Sequence, residues 1–386
     1  MKLNEHRKIT TRLDLNIGLK CNIKCKFCYY LDRLNDPFED FDKLVERLVN
    51  FRKADIDKLH ITGGEPTIYK GLFDLVRKAR ELGFVDIGVI TNGIMLRNKE
   101  YAEQCKEAGI DNFIISLHGH TAELHDELTQ SKNSYDSILR AIKNLNEIGM
   151  PFQINHVVTK NNYRFLMDFS KLMIEMKPEI VTLLYFNPMN FSSALMGMSA
   201  KYSETISYLH EAIDILEKNN VDVCFKFLPL CALKNQHEKY LMNLSQAYYE
   251  DWEWNYEKRL LLDAGKKEYK RRQLCFFRNF SKQQINHLPM DILMYLNSLL
   301  SCQYDFYTKL DVCKSCRYDL ICHGVDKYYI GQFGDGEFKP IPGEKIINPT
   351  APIYDDEPDA YKISFYQKII NYLTFYYSRY FTKKIN

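Results

Sequence analysis

The strongest constraint on how this chain folds is an alternation of two periodicities. From residue 12 to residue 186, short β-patterned runs (12–17, 58–62, 85–91, 113–117, 152–158 and 180–186) alternate with helix-patterned ones (41–54, 71–82, 99–108, 135–148 and 165–176), one pair about every thirty residues. In the first helix Phe41, Leu44, Val45, Leu48 and Val49 fall on one face. Strands that alternate with amphipathic helices pair in parallel through right-handed crossovers. The expected fold is therefore α/β, a partial (β/α)6 TIM-like barrel open on one side. Chemistry in such folds collects at the carboxyl ends of the strands.

The loop after the first strand holds Cys21, Cys25 and Cys28 in a C-x3-C-x2-C spacing. Three thiolates this close bind one metal centre, and thiolates select zinc, copper(I) or iron-sulfur clusters. A structural zinc site is normally closed by four ligands, and no fourth Cys or His lies nearby in the sequence. A [4Fe-4S] cluster held by three cysteines keeps one iron free for a small-molecule ligand, which makes a site for chemistry.

The spacing, with an aromatic residue before the third cysteine, resembles the cluster motif of the radical S-adenosylmethionine (radical SAM) superfamily. Thr62-Gly63-Gly64-Glu65-Pro66 ends the second strand. Paired glycines let backbone approach a ligand closely, and a carboxylate beside them pairs with an ammonium group. The resemblance to the superfamily's GGEP motif implies that Gly63, Gly64 and Glu65 hold the methionine amine of S-adenosylmethionine. It also implies that polar residues at later strand ends reach the cofactor's ribose and carboxylate. Ser116 is the first choice for the ribose and Asn155 the next; Asn92 reads equally as a turn former. Phe27 and Tyr29 are expected to line the same pocket, with residues 183–187 offering backbone to adenine. His118 reads either as a satisfied polar group at a strand end or as a catalytic residue.

A further strand at 221–227 runs into Cys231, and Cys313, Cys316 and Cys322 follow much later in a C-x2-C-x5-C spacing. This region resembles the auxiliary-cluster segment of radical SAM enzymes with SPASM or twitch extensions. The full two-cluster pattern needs more cysteines, since Asp326 stands where another would be. One auxiliary [4Fe-4S] cluster on Cys231, Cys313, Cys316 and Cys322 is expected, with Cys275 or Cys302 as alternative fourth ligands. A structural zinc satisfies the same spacing. Cys224 reads as buried packing or as a hydrogen donor to a substrate radical. The expected division is a radical SAM partial barrel over 1–227, a smaller Cys-rich auxiliary-cluster domain with a helical insert over 228–330, and a C-terminal loop and helix over 331–386. The aromatic helix pattern at 360–381 suits docking on the body or a partner, or attachment to a membrane surface.

Composition matters mainly for what it excludes. With 52 basic and 50 acidic residues mixed along the chain, there is no broad electrostatic footprint for DNA. No apolar run reaches the roughly 18 residues a transmembrane segment needs. The first eleven residues are polar and charged, unlike a signal peptide, so the eleven cysteines are read as thiols of a reducing cytoplasm. The resemblance implies an oxidoreductase or maturase. It would reductively cleave S-adenosylmethionine to a 5'-deoxyadenosyl radical, using an external electron donor such as flavodoxin or ferredoxin, and abstract a substrate hydrogen. The leading substrate is a ribosomally synthesised peptide, altered by crosslinking, oxidation or epimerisation. Since no recognition domain is expected before the first strand, a discrete peptide-recognition partner or direct binding would be needed. The alternatives are oxidation or epimerisation of a small molecule such as a sugar, aminoglycoside or nucleoside, and a non-catalytic zinc-binding module.

Overall fold

The computed structural model describes residues 12–52, 57–187, 195, 197–233, 235–241, 249–250, 307–319, 322 and 324–345. Cys275, Cys302 and the helix pattern at 360–381 lie outside the described residues.

One parallel sheet organises the molecule. β1 (Arg12–Asn16), β2 (Lys58–Thr62), β3 (Asp86–Thr91), β4 (Asn112–Ser116), β5 (Phe152–Val158) and β6 (Ile180–Tyr185) stand side by side in chain order. Each crossover steps to the next neighbour in the same sense, and strand twist curls the sheet into a half-barrel. The expected six strands become seven, because β7 (Asp222–Lys226) pairs in parallel with β6. A two-residue strand, β8 (Tyr249–Glu250), adds to the other edge beside β1.

The outer layer consists of α1 (Phe41–Arg52), α2 (Leu72–Glu81), α3 (Lys99–Ala108), α4 (Ala122–Thr129), α5 (Ser134–Glu147), α6 (Leu166–Met176) and α7 (Tyr202–Lys218). Among the described residues, no helix is long and apolar enough to cross a membrane. The five helix-patterned runs correspond to α1, α2, α3, α5 and α6; α4 is an eight-residue helix capped by Thr121, whose hydroxyl accepts from the Leu124 N–H.

The sheet has two unlike faces. Leu13 and Leu15 of β1, with Leu59, Ile61, Phe113 and Ile115, pack under the helices in the main core. The alternate residues of β1, Arg12, Asp14 and Asn16, are polar and belong to the concave face. Register carries this face across the sheet, aligning Asp14 with His60, Ser116 with Asn155, Asn155 with Thr182 and Thr182 with Cys224. Its floor is tied together internally. His60 Nδ1 lies 2.9 Å from Asp14 Oδ1, Arg12 Nη2 donates to Asp86 Oδ2 at 2.5 Å, and Asn112 Nδ2 donates to Asp86 Oδ1 at 3.1 Å. Gly88 makes room for them: a Cβ there would stand 2.6 Å from Asn112 Oδ1 and 2.9 Å from His60 Cδ2.

A small unit lies beyond the barrel strands. β9 (Tyr307–Thr308) and β10 (Val325–Asp326) pair antiparallel, and α8 (Lys327–Phe333) follows with Asp326 as its N-cap. It meets the start of α7 through Tyr329, whose ring stacks on Tyr202 at 4.2 Å and whose hydroxyl accepts from the Tyr202 N–H at 2.7 Å.

Burial pushes Asp14 up to about 7, against the pull of Lys226 and Arg12. An acid that holds its proton more tightly folded than unfolded contributes stability at and below about pH 4, and loses it as pH rises through its folded value. The stability advantage of the wild type over Asp14→Asn is therefore expected to shrink between about pH 4 and about pH 7. Urea denaturation at successive pH values measures it; a constant difference would show that Asp14 keeps an ordinary acidity.

Candidate active site

The chain leaving β1 is clamped onto the end of β2. Ile17 N–H donates to Thr62 O at 3.0 Å, Gly64 N–H to Gly18 O at 2.8 Å and Glu65 N–H to Lys20 O at 2.9 Å. Side chains would forbid this approach. A Cβ on Gly63 would stand 2.2 Å from Gly18 O, and one on Gly64 2.2 Å from Lys20 O. Gly63 also has φ +136°, where L-residues are strained. The glycine pair thus faces the backbone that leads into the cysteine loop.

That loop is tied on every side. Lys26 N–H donates to Leu128 O at the end of α4, and Lys26 Nζ pairs with Glu127 at 2.7 Å. Asn92 Nδ2 donates to Asn22 Oδ1 at 2.7 Å, and the Tyr29 hydroxyl to Asn187 O at 2.8 Å. Within the loop, Cys28 N–H donates to Cys25 O at 3.0 Å and Tyr30 N–H to Cys28 Sγ at 3.4 Å. The three thiols are half-buried. Burial pushes Cys21 up to about 11 and raises Cys25 and Cys28 as well. Three adjacent thiolates here therefore need a cation beside them.

The other expected site residues divide by accessibility. Tyr29, Gly63, Gly64, Ser116 and Asn155 are half-buried at or near the mouth. Phe27 is enclosed in an apolar cluster with Leu128, Phe186, Leu195 and Met198, and Tyr29 stacks on Phe186 at 5.6 Å. Glu65 is 1% exposed. Its carboxylate accepts from Thr67 N–H at 3.0 Å, Thr67 Oγ1 at 2.5 Å, Thr91 Oγ1 at 2.7 Å and Asn92 N–H at 2.7 Å. Burial raises its proton affinity and these donors oppose the rise. The Asn92 amide is engaged at both ends, its Oδ1 accepting from Ile94 N–H at 3.1 Å.

His118 lies edge-on to Phe27 with ring centroids 4.6 Å apart. Its Nδ1 accepts from Val157 N–H at 3.1 Å, and burial holds it far below the usual histidine range. The ring is therefore neutral with its proton on Nε2. Cys224 is 2% exposed, with its thiol 3.3 Å from Thr182 Oγ1. It shares a register row with Ser116 and Asn155.

Cys231, Cys313, Cys316 and Cys322 line one cavity, with Lys309 and Pro340 at its wall. Two features of the first loop recur there. Cys316 N–H donates to Cys313 O at 3.0 Å, and backbone N–H groups point at sulfur, Gly324 to Cys322 at 3.3 Å and Ile341 to Cys316 at 3.4 Å. Burial raises Cys231, and the nearby thiols of Cys322, Cys316 and Cys313 add to it. All nine described cysteines are free thiols. Among the described residues, no three His, Cys, Asp or Glu side chains close around a single-ion position.

Asn187, expected from sequence only to offer backbone to adenine, ties Tyr29 of the cysteine loop to the end of β7, to β9 and to α7. Its Nδ2 donates to Phe227 O at 2.7 Å and to the Tyr307 hydroxyl at 3.3 Å, and its Oδ1 accepts from the Tyr202 hydroxyl at 3.0 Å. The side-chain bonds of Asn22 and Thr91, and the helix α4, were not read from sequence. The only local signal was the Thr121 cap with Glu123 in the first turn.

Residues 15–169 match the family model described as Radical SAM superfamily. A probable GTP 3',8-cyclase of Saccharolobus islandicus (strain Y.N.15.51 / Yellowstone #2) is 31% identical over 182 residues, 45% of this chain and 57% of that protein. A probable GTP 3',8-cyclase of Thermoplasma volcanium is 32% identical over 213 residues, 54% of this chain and 62% of that protein. The chain thus spans little more than half the length of these curated relatives. The crystal structure of Streptococcus suis SuiB bound to precursor peptide SuiA has 20% identity and a TM-score of 0.48, covering 58% of this chain and 51% of that one.

Gly64→Ala forces a methyl group onto backbone that no rotamer change relieves. We expect it to cost about 1–3 kcal/mol and to shift the cysteine loop, so that maleimide labels Cys21, Cys25 and Cys28 faster in the metal-free protein. Wild-type labelling rates in this variant would contradict the clamp.

Proposed function

We propose that this chain is a radical SAM enzyme, a reading supported by the match of residues 15–169 to the Radical SAM superfamily model, that Cys21, Cys25 and Cys28 hold a [4Fe-4S] cluster at the barrel mouth and that S-adenosylmethionine binds beside it. The observation that carries this is the cysteine loop itself: three half-buried thiols in one short loop, tied to α4 and to the ends of β2, β3 and β6. When bound, the cluster and cofactor supply one-electron cleavage of the sulfonium bond and a 5'-deoxyadenosyl radical that takes a hydrogen atom from substrate. The protein's part is to orient and to exclude water. Phe27 and Tyr29 wall the pocket with Phe186, and Ser116 and Asn155 offer neighbouring polar groups for the ribose. His118 presents a neutral Nε2–H near Phe27. Cys224 enters only under an epimerising outcome, as hydrogen donor. The reducing electron comes from an external donor such as flavodoxin or ferredoxin.

In the same reading, residues 1–227 carry the first cluster and 228–330 a second [4Fe-4S] cluster on Cys231, Cys313, Cys316 and Cys322. The repeated C-x2-C turn and the N–H groups aimed at sulfur support it, since such hydrogen bonds accompany cluster thiolates. The substrate is a ribosomally synthesised peptide, supported by the resemblance of this second group to SPASM and twitch segments. A second reading, a nucleotide-like small molecule, is favoured by the names of the cyclase relatives.

Anaerobic reconstitution with iron, sulfide and zinc analysis tests the two sites, beside 5'-deoxyadenosine release with dithionite. We expect about eight irons, with cleavage abolished in Cys25→Ala. About four irons plus zinc would make the second site structural, and zinc at both sites without cleavage would end the enzyme reading. Faster 5'-deoxyadenosine release with GTP than with a peptide encoded beside the gene would favour the nucleotide.

A further inference from the structure

We propose that Glu65 is a positioning residue that latches the cysteine loop, and that it does not itself receive the cofactor's ammonium group. This rests on reading the mouth as an S-adenosylmethionine site, and it departs from what the motif implies. A side chain that takes up a ligand has to show it open surface. Glu65 shows 1%, while Gly63 and Gly64 beside it are half-buried. A carboxylate has about four acceptor positions; three protein donors crowd Glu65 Oε1, from Thr67 N–H and Oγ1 and Thr91 Oγ1, and Asn92 N–H holds Oε2, so both oxygens are already engaged within the protein. The Glu65 N–H is spent on Lys20 O, and its carbonyl accepts from Ile68 N–H at 3.3 Å.

What these bonds hold is the loop. Glu65 fixes the backbone of Asn92, and the Asn92 amide donates to Asn22 Oδ1, between Cys21 and Cys25. On its other side, the Glu65 and Gly64 N–H groups grip Lys20 and Gly18, just before Cys21. A continuous hydrogen-bond path thus runs from the cysteine loop through Asn22, Asn92 and Glu65 to the ends of β2 and β3. An acceptor-only group suits its centre. Gln would turn an N–H2 toward the donors of Thr67, Thr91 or Asn92, and Asp is too short to span them. The backbone of Gly63 and Gly64 is what the motif leaves open toward the cofactor.

Three variants test the latch. Thr91→Val keeps the carboxylate and its charge but removes one donor; Asn22→Ala cuts the path at its exposed end, away from the core; Glu65→Gln disrupts its centre. Two quantities are measured: S-adenosylmethionine affinity of the reconstituted enzyme by equilibrium dialysis, and amide hydrogen exchange of residues 20–28 and 92 in the cofactor-free protein. We expect each variant to weaken binding about tenfold and speed loop exchange about tenfold, with Asn22→Ala keeping the wild-type Tm. Glu65→Gln combined with Thr91→Val should be little worse than Glu65→Gln alone, because both act on one path.

Direct ammonium contact predicts instead that Thr91→Val and Asn22→Ala bind normally and only Glu65→Gln loses affinity. Unchanged affinity or unchanged exchange in Thr91→Val overturns the latch. If Glu65→Gln fails to fold, the other two variants decide. A wild type that does not bind S-adenosylmethionine would defeat the proposed function, and the exchange data would then judge the latch alone.

Discussion

The mouth of this half-barrel depends on one close approach of backbone to backbone. Residues 18–20 lie so near residues 63–65 that a Cβ on Gly63 or Gly64 would not fit between them, and two N–H groups close the contact. Once that seam forms, the direction of the chain into Cys21 is set by β1 and β2, two neighbouring strands of a rigid sheet. The cysteine loop then needs only side ties, from α4, from the turn after β3 and from Asn187, to hold its thiols. Reactive groups placed on such a scaffold inherit its precision, which a free loop of the same length would lack.

The sheet's two faces explain both its stability and its use. Strands of a parallel sheet covered by helices on both sides read as continuous apolar runs. β1 reads Arg-Leu-Asp-Leu-Asn, so only one of its faces meets a helix layer. The apolar face joins the main core, while the polar face forms a floor of hydrogen-bonded polar side chains under the mouth. The polar members are not free to face water. Asp14, His60 and Arg12 are buried, with Asp14 hydrogen-bonded to His60 and Arg12 paired with Asp86, so these polar groups keep partners inside the protein.

Much of this was legible in sequence for a physical reason. Helix and strand periodicities are local, and the C-x3-C-x2-C and Gly-Gly-Glu-Pro motifs are contiguous, so architecture, the thiol loop and its neighbour motif could be read together. The seventh strand was seen as a strand, but its partner, β6, is a matter of topology that periodicity does not encode. α4 was too short for the pattern to declare itself. The ties of Glu65 to Thr91, of Asn92 to Asn22 and of Asn187 to Tyr29 were hidden because they join residues 26, 70 and 158 positions apart. No spacing rule announces such a bond; only the fold brings its ends together.

Asn187 has a consequence for the order in which the molecule matures. Its partners Phe227, Tyr307 and Tyr29 lie 40, 120 and 158 positions from it. Contacts this far apart in sequence form late, since the intervening chain has to be closed first. During synthesis the cysteine loop emerges early, well before Tyr307 exists to complete the hub. The first thiols thus spend part of the chain's synthesis held by the barrel alone. The second cysteine group, which begins at Cys231 and ends at Cys322, lies wholly C-terminal to the seven strands of the half-barrel, so its residues emerge after those strands.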